Sequence, residues 1–250
     1  MSKEVMKKGS GSVALFADDV ATGFDNMTQD DLALPYVRIL GQLSAQVNEG
    51  DGKYIEGAKP GMIYNNVTHE IFDGKKGIKV VPCYYKKDYP EKSDKGDGNP
   101  LTVATHLPNS PIIKTGKREG AKIRLPNGNY LENTASHFVI LMGDTPTTAL
   151  ISMKATQLKI SRKWNSMMMG IKMQGKSGLF TPPTYSHIYN LKTVQQSNDK
   201  GTWFGWDVAK VGPVQDKAVY DIAKNFADRV SKGEVQAKHG TEETKTDVPY

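Results

Sequence analysis

The chain has 250 residues, a formal net charge of +6, 38% hydrophobic residues and one cysteine. With a mean hydropathy of −0.51 and a pI of about 9.1, it fits one domain with tails or two small ones and favours a polyanion as partner. The lone Cys83 excludes an internal disulfide framework and a multi-cysteine zinc site, and no apolar run reaches the about 18 residues of a membrane span.

Residues 1–31 are rich in Lys, Gly, Ser and Asp and are expected to form a flexible N-terminal arm. Their basic start is followed by Asp18 and Asp19, which break the apolar stretch a signal peptide needs, so a cytoplasmic protein is expected. Residues 32–43 are apolar but interrupted by Pro35, which favours an extended segment entering the core. Residues 62–67, 70–72 and 78–85 are β-branched and aromatic runs between glycines and read as an antiparallel meander. Cys83, inside the last run, is expected to be a buried thiol. Tyr84, Tyr85, Lys86, Lys87 and Tyr89 place rings beside cations where that strand runs out.

Residues 93–124 lack periodicity and read as a long mobile insertion, a flap over a groove. A short hairpin is expected next, turning at Asn127-Gly128. Residues 136–142 and 148–153 are the clearest strands, joined by the turn Gly143-Asp144-Thr145-Pro146. The period then becomes helical over 154–169, with Met153, Gln157, Ile160, Trp164 and Met167 on one face. Residues 170–183 read as a loop, and 185–194 and 202–211 as strands. On the second of these, Phe204, Trp206 and Val208 make the better core stripe, which turns Trp203 outward. A last helix is expected from Pro213 to about residue 231, with Val214, Ala218, Ile222, Phe226 and Val230 on one stripe. Residues 233–250 read as a disordered tail.

The region 152–211 organises the rest. It carries Lys154, Lys159, Arg162, Lys163, Lys172, Lys176 and Lys192, and no Asp or Glu occurs from Thr145 to Asn198. Trp164, Phe180, Tyr185, Tyr189, Trp203, Phe204 and Trp206 are interleaved with these cations, so all three tryptophans fall here. One sign of charge beside many flat rings suits single-stranded nucleic acid, whose phosphates meet the cations while its bases stack on the rings.

Other chemistry finds less support. Gly170 to Ser177 matches the phosphate-loop expression G-x-x-x-x-G-K-[ST]. That chemistry needs a strand before the loop and a helix after it, but a Met-rich helical stretch leads in and Thr181-Pro182-Pro183 follows. The five histidines have no metal-ligand spacing, and Asp94, Asp97 and Asn99 do not follow a calcium-loop pattern. No catalytic residues, cofactor or metal are therefore expected.

The last residues, Asp247-Val248-Pro249-Tyr250, resemble the tip of bacterial single-stranded DNA-binding proteins, which ends Asp-Asp-Asp-Ile-Pro-Phe. The resemblance implies a tail that recruits replication or recombination proteins through its terminal ring and carboxylate. Here Lys245 stands among the few acids Glu242, Glu243 and Asp247, a departure from that pattern. Over residues 32–232 the chain also resembles bacteriophage proteins described as single-stranded DNA-binding. The segments are Pro35-Tyr-Val-Arg-Ile-Leu40, Tyr54-Ile-Glu-Gly-Ala58, Gly61-Met-Ile-Tyr-Asn65, Gln157 to Ser166 and Ser197 to Trp206. This resemblance implies an OB-type fold and a role in replication or recombination.

The expectation is a mainly β (α+β) protein with an OB-like five-stranded antiparallel barrel over 32–232. A helix lies between strands three and four, and a second helix follows the barrel. It is expected to bind single-stranded DNA in the cytoplasm of a bacterial host, without enzymatic activity. Lys154, Lys159, Arg162, Lys163, Lys172 and Lys176 would hold the backbone, with Tyr84, Tyr85, Tyr185, Tyr189 and Trp203 as stacking surfaces. The alternatives are a single-strand annealing protein, a non-catalytic virion or scaffold component and, third, a nucleotide-hydrolysing enzyme.

Overall fold

In a computed structural model, the described residues are 33–93, 100–199 and 201–237, with 23, 26, 27 and 239 besides. The chain divides into two compact units, Met1–Ala33 and Leu34–Tyr250, and all described secondary structure lies in the second. The expected N-terminal arm and the tail tip Asp247–Tyr250 fall outside the described residues, apart from Gly23, Asn26 and Met27.

Strands β1 (Val37–Ile39), β2 (Ile63–Asn65) and β3 (Ile71–Phe72) form a small antiparallel sheet in that order. The expected meander stops there, because β4 (Ile78–Lys92) leaves β3 and joins a larger sheet. Gly74, between them, is held by a close approach. A Cβ there would fall 1.9 Å from the Gly61 carbonyl oxygen and 2.1 Å from Thr193 Oγ1, so only glycine lets this turn meet its neighbours.

Within the described part of 93–124 the chain forms strands and a helical turn where a long loop had been expected. Strand β5 (Thr102–His106) pairs with the end of β4. A single helical turn, α1 (Ile112–Thr115), leads into β6 (Lys117–Glu119), β7 (Lys122–Arg124) and β8 (Tyr130–Glu132). The β7–β8 hairpin turns at Asn127-Gly128 as expected, with Gly128 at φ +87°. The segment is anchored on a buried group, the Glu91 carboxylate on β4. It accepts from Asn129 Nδ2 at 2.6 Å and Asn127 Nδ2 at 3.1 Å, and lies 2.7 Å from His106 Nε2. These partners, the Asn129 amide foremost, hold the Glu91 carboxyl below the usual carboxylate range.

Strands β9 (Thr134–Leu141) and β10 (Thr147–Lys154) follow as a hairpin. Helix α2 (Leu158–Met169) comes next, then a hairpin of β11 (Met173–Gly175) and β12 (Gly178–Phe180). Strands β13 (His187–Asn198) and β14 (Gly201–Pro213) form a long hairpin, and helix α3 (Lys217–Ser231) closes the described fold. β4 pairs with β9 on one side and β13 on the other, giving five antiparallel strands in the order β10-β9-β4-β13-β14. The protein is mainly β, with this sheet curled into a half-barrel.

Both faces of the curl are covered. Inside it, Val80, Val139, Ile151, Leu191, Trp206 and Val208 meet Val37 and Ile63 from the small sheet and Trp164 and Met168 from α2. On the other face, Val81, Phe138, Ile140 and Leu150 pack against Val219, Ala223, Phe226 and Val230 of α3. Burial of these side chains is the main favourable term, roughly 1.5–3 kcal/mol for each large one. Cys83 lies in this second cluster at 2% exposure, as expected of a buried thiol, and burial pushes its pKa up to about 12.

Candidate nucleic-acid interface

The expected binding cations separate into two groups. Ala155 takes φ +45°, a left-handed turn that ends β10 and starts the path into α2. Lys154, before that turn, stays in the sheet. Its ammonium lies 3.7 Å from a Glu132 carboxylate oxygen, which Lys92 also approaches at 4.0 Å. Lys154 is thus tied into a half-buried ion-pair network, which corrects its assignment to an open groove.

Beyond the turn, α2 buries Ser161, Trp164 and Met168. These are three and four residues apart, so the opposite side of the helix carries Lys159, Arg162 and Lys163, all exposed. Lys163 meets Asp207 of β14 at 3.0 Å, with both side chains about half exposed. Such a pair contributes little. Lys159 and Arg162 have no ion pair among the described residues.

At its C-terminal end α2 stops at Gly170, whose N–H donates to the Ser166 carbonyl at 2.9 Å. The chain then enters the β11–β12 ribbon, where a loop had been expected. Met173 faces Phe180, Gln174 faces Leu179, and Gly175 faces Gly178 across a two-residue turn at Lys176-Ser177. The hairpin excludes a phosphate-loop reading, because the matching residues form a strand and its turn with no helix behind them. Lys172 and Lys176 are exposed, and Lys172 donates to Thr181 Oγ1 across the ribbon base. Among the described residues the ribbon pairs with no other strand. It carries Leu179 at 73%, Phe180 at 46% and Met173 at 41% exposure, and Met169 at the helix end is 67% exposed.

The expected stacking rings do not join these cations. Tyr189 is 0% exposed inside the curl, edge-on to Trp164 with centroids 5.8 Å apart. Trp203, expected to face outward, is 8% exposed. Its face of β14 is covered too: a Cβ on Gly205, two residues along, would lie 2.6 Å from Gln157 Nε2. The Gln157 side chain also accepts from the Trp206 N–H at 2.9 Å. Tyr189 and Trp203 are therefore core residues.

Tyr84, Tyr85 and Tyr185 are half-buried and divided between the faces of the sheet. Tyr84 and Tyr185 pack with the α3 cluster, where Tyr185 meets Tyr220 edge-on at 5.4 Å. Tyr85 packs with the inner cluster alongside Leu158 and Ile160 of α2, its ring 5.2 Å from that of His137. Neighbours on one strand point to opposite faces, so the three tyrosines form no single platform.

The apolar side chains that do stand beside the cations are those of the ribbon. The sequence signal was the spacing Met173-x-Gly175-Lys-Ser-Gly178-x-Phe180, a period-two pattern mirrored about a two-residue turn. Among the described residues, no three His, Cys, Asp or Glu side chains gather as a metal site requires, and no helix is long and apolar enough to cross a membrane.

A family model described as Pam3 phage gp34-like protein matches residues 7–236 of the chain. No curated protein and no solved structure matches it.

Proposed function

We propose that this chain, which belongs to the Pam3 phage gp34-like protein family, is a non-catalytic bacteriophage protein that binds single-stranded DNA in replication or recombination. The observation that carries the reading is the placement of cations. Lys159, Arg162 and Lys163 share the outer side of α2, and Lys172 and Lys176 stand on the ribbon that leaves its end. The segment 145–198 holds no carboxylate, and of these cations Lys163 meets Asp207 of β14 at half-exposed positions. Phosphates spaced along a strand suit such a row of charge.

The topology supports an OB-type barrel. In chain order the five central strands are β4, β9, β10, β13 and β14, and they lie side by side in the order third, second, first, fourth, fifth. A helix separates the third and fourth, as in that barrel. The third and fifth strands would meet on closure. Here β1 approaches both, through a parallel bridge from Tyr36 to Leu150 of β10 and through packing beside β14.

In this reading the protein acts in the host cytoplasm, and the tail Asp247–Tyr250 recruits a replication or recombination partner. The test is a titration of oligo-dT against duplex of equal length over a range of salt. Preference for the single strand and affinity falling steeply with salt are expected. Equal affinity for both, or indifference to salt, refutes the reading. Deleting Asp247–Tyr250 leaves DNA affinity unchanged or raised and abolishes the partner interaction in a pull-down from infected cells.

A further inference from the structure

The β11–β12 ribbon is a structural oddity in physical terms. Two three-residue strands joined by a tight turn are marginal by themselves, and among the described residues this pair is hydrogen-bonded to no other strand. Both of its faces expose apolar side chains. Phe180 and Met173 sit opposite each other on one face, and Leu179 stands on the other. The ring of Phe180 lies across the ribbon over Gly175, where a Cβ would come within 3.2 Å of Phe180 Cδ1 and Cε1. A glycine there leaves the ring room to lie flat.

Charge selects the occupant. Lys172 and Lys176 are on the ribbon itself, and Lys159 and Arg162 are on the helix before it, with no acid in the segment. A patch of apolar groups set among cations complements a ligand with flat apolar faces and anionic links. Tyr189 and Trp203 are in the core, so bases must find other surfaces. In duplex DNA the base faces are stacked on one another, and only an unpaired strand offers them freely.

We propose that the ribbon is the base-contacting element, with Phe180, Met173 and Leu179 packing on unpaired bases while Lys172 and Lys176 hold the flanking phosphates. This rests on the single-strand reading above and assigns its base contacts to residues outside the rings expected from the sequence.

The experiment uses the full chain and three probes: oligo-dT, an abasic oligomer of the same length, and the matching duplex. The wild-type protein binds oligo-dT on the order of 10-fold or more tighter than the abasic strand, as one or two stacked bases require. Leu179→Ala with Phe180→Ala removes that preference and leaves the salt slope unchanged. Lys172→Ala with Lys176→Ala lowers the salt slope and keeps the preference. A Phe180→Trp variant adds an exposed indole whose emission is quenched by oligo-dT and not by the abasic strand. The thermal midpoint stays that of wild type in every ribbon variant.

If Leu179→Ala with Phe180→Ala still prefers oligo-dT, or the new indole does not respond while the strand binds, the ribbon assignment is wrong and single-strand binding stands. If no variant and no wild type binds any strand, both readings fall. If the ribbon substitutions instead abolish self-association in sedimentation and leave the base preference intact, the patch docks a second copy and the assignment is overturned.

Discussion

His137 shows how one side chain records its surroundings. It is 1% exposed, stacked on Trp164 at 4.5 Å, with Nε2 2.8 Å from Ser161 Oγ. Burial depresses its pKa to about 3, from 6.5. Between those values the unfolded chain takes up a proton that the folded one refuses, so stability falls as pH drops through that window. His187, lowered chiefly by burial, acts in the same direction. So does Glu91, whose folded carboxyl is held low: its stabilisation is present above the unfolded pKa and lost as pH falls through the folded one. His137→Gln is expected to be less stable at neutral pH, through lost stacking. Its urea midpoint should also vary less between pH 6.5 and about 3, the removed dependence being on the order of a few kcal/mol. Circular dichroism through a urea series at stepped pH measures this, and an unchanged slope would show that His137 does not titrate only on unfolding.

At the scale of one element, α3 shows what a pattern predicts and where it drifts. The expected stripe of Val214, Ala218, Ile222, Phe226 and Val230 advances four residues at a time, which turns about 40° further round the helix at each step. The helix begins at Lys217, capped by the Asp216 carboxylate accepting from the Ala218 N–H. Its buried residues are Val219, Ala223, Phe226, Ala227 and Val230. Ala218 is exposed and Ile222 is 40% exposed. Phe226 meets Phe138 of β9 edge-on at 6.2 Å. Phe226→Ala should therefore cost about 3–5 kcal/mol in chemical denaturation, while Ile222→Ala stays within about 0.5 kcal/mol. Equal losses would mean that the helix packs on the other phase.

For the whole molecule, the separation of cations from tryptophans has optical and ionic consequences. Trp164, Trp203 and Trp206 are 0%, 8% and 3% exposed. Poly-dT should bind with little change in their emission, and iodide should quench it weakly. Strong quenching by poly-dT would mean that β14 opens to present Trp203. Replacing Lys159, Arg162, Lys172 and Lys176 by alanine should lower the slope of log affinity against log salt by about 0.7 for each phosphate no longer neutralised. The same change at Lys154, which is engaged with Glu132, should lower the slope less and lower the thermal midpoint more.

The local patterns were legible from residues alone. Apolar runs flanking the turn Gly143-Asp144-Thr145-Pro146 located β9 and β10, the runs at 185–194 and 202–211 located β13 and β14, Asn127-Gly128 located the β7–β8 turn, and the acid-free run from Thr145 to Asn198 marked the basic segment. These follow from near-neighbour sterics and from charge, which act within a few residues. Which face of each strand meets solvent was decided elsewhere. Trp203 is buried on a strand face where Gly205 comes close to Gln157, far earlier in the chain, and Lys154 is drawn to Glu132 beside the neighbouring strand. A strand's period reveals that it has two faces; what covers each depends on distant segments brought together by burial, and only the tertiary structure holds that information.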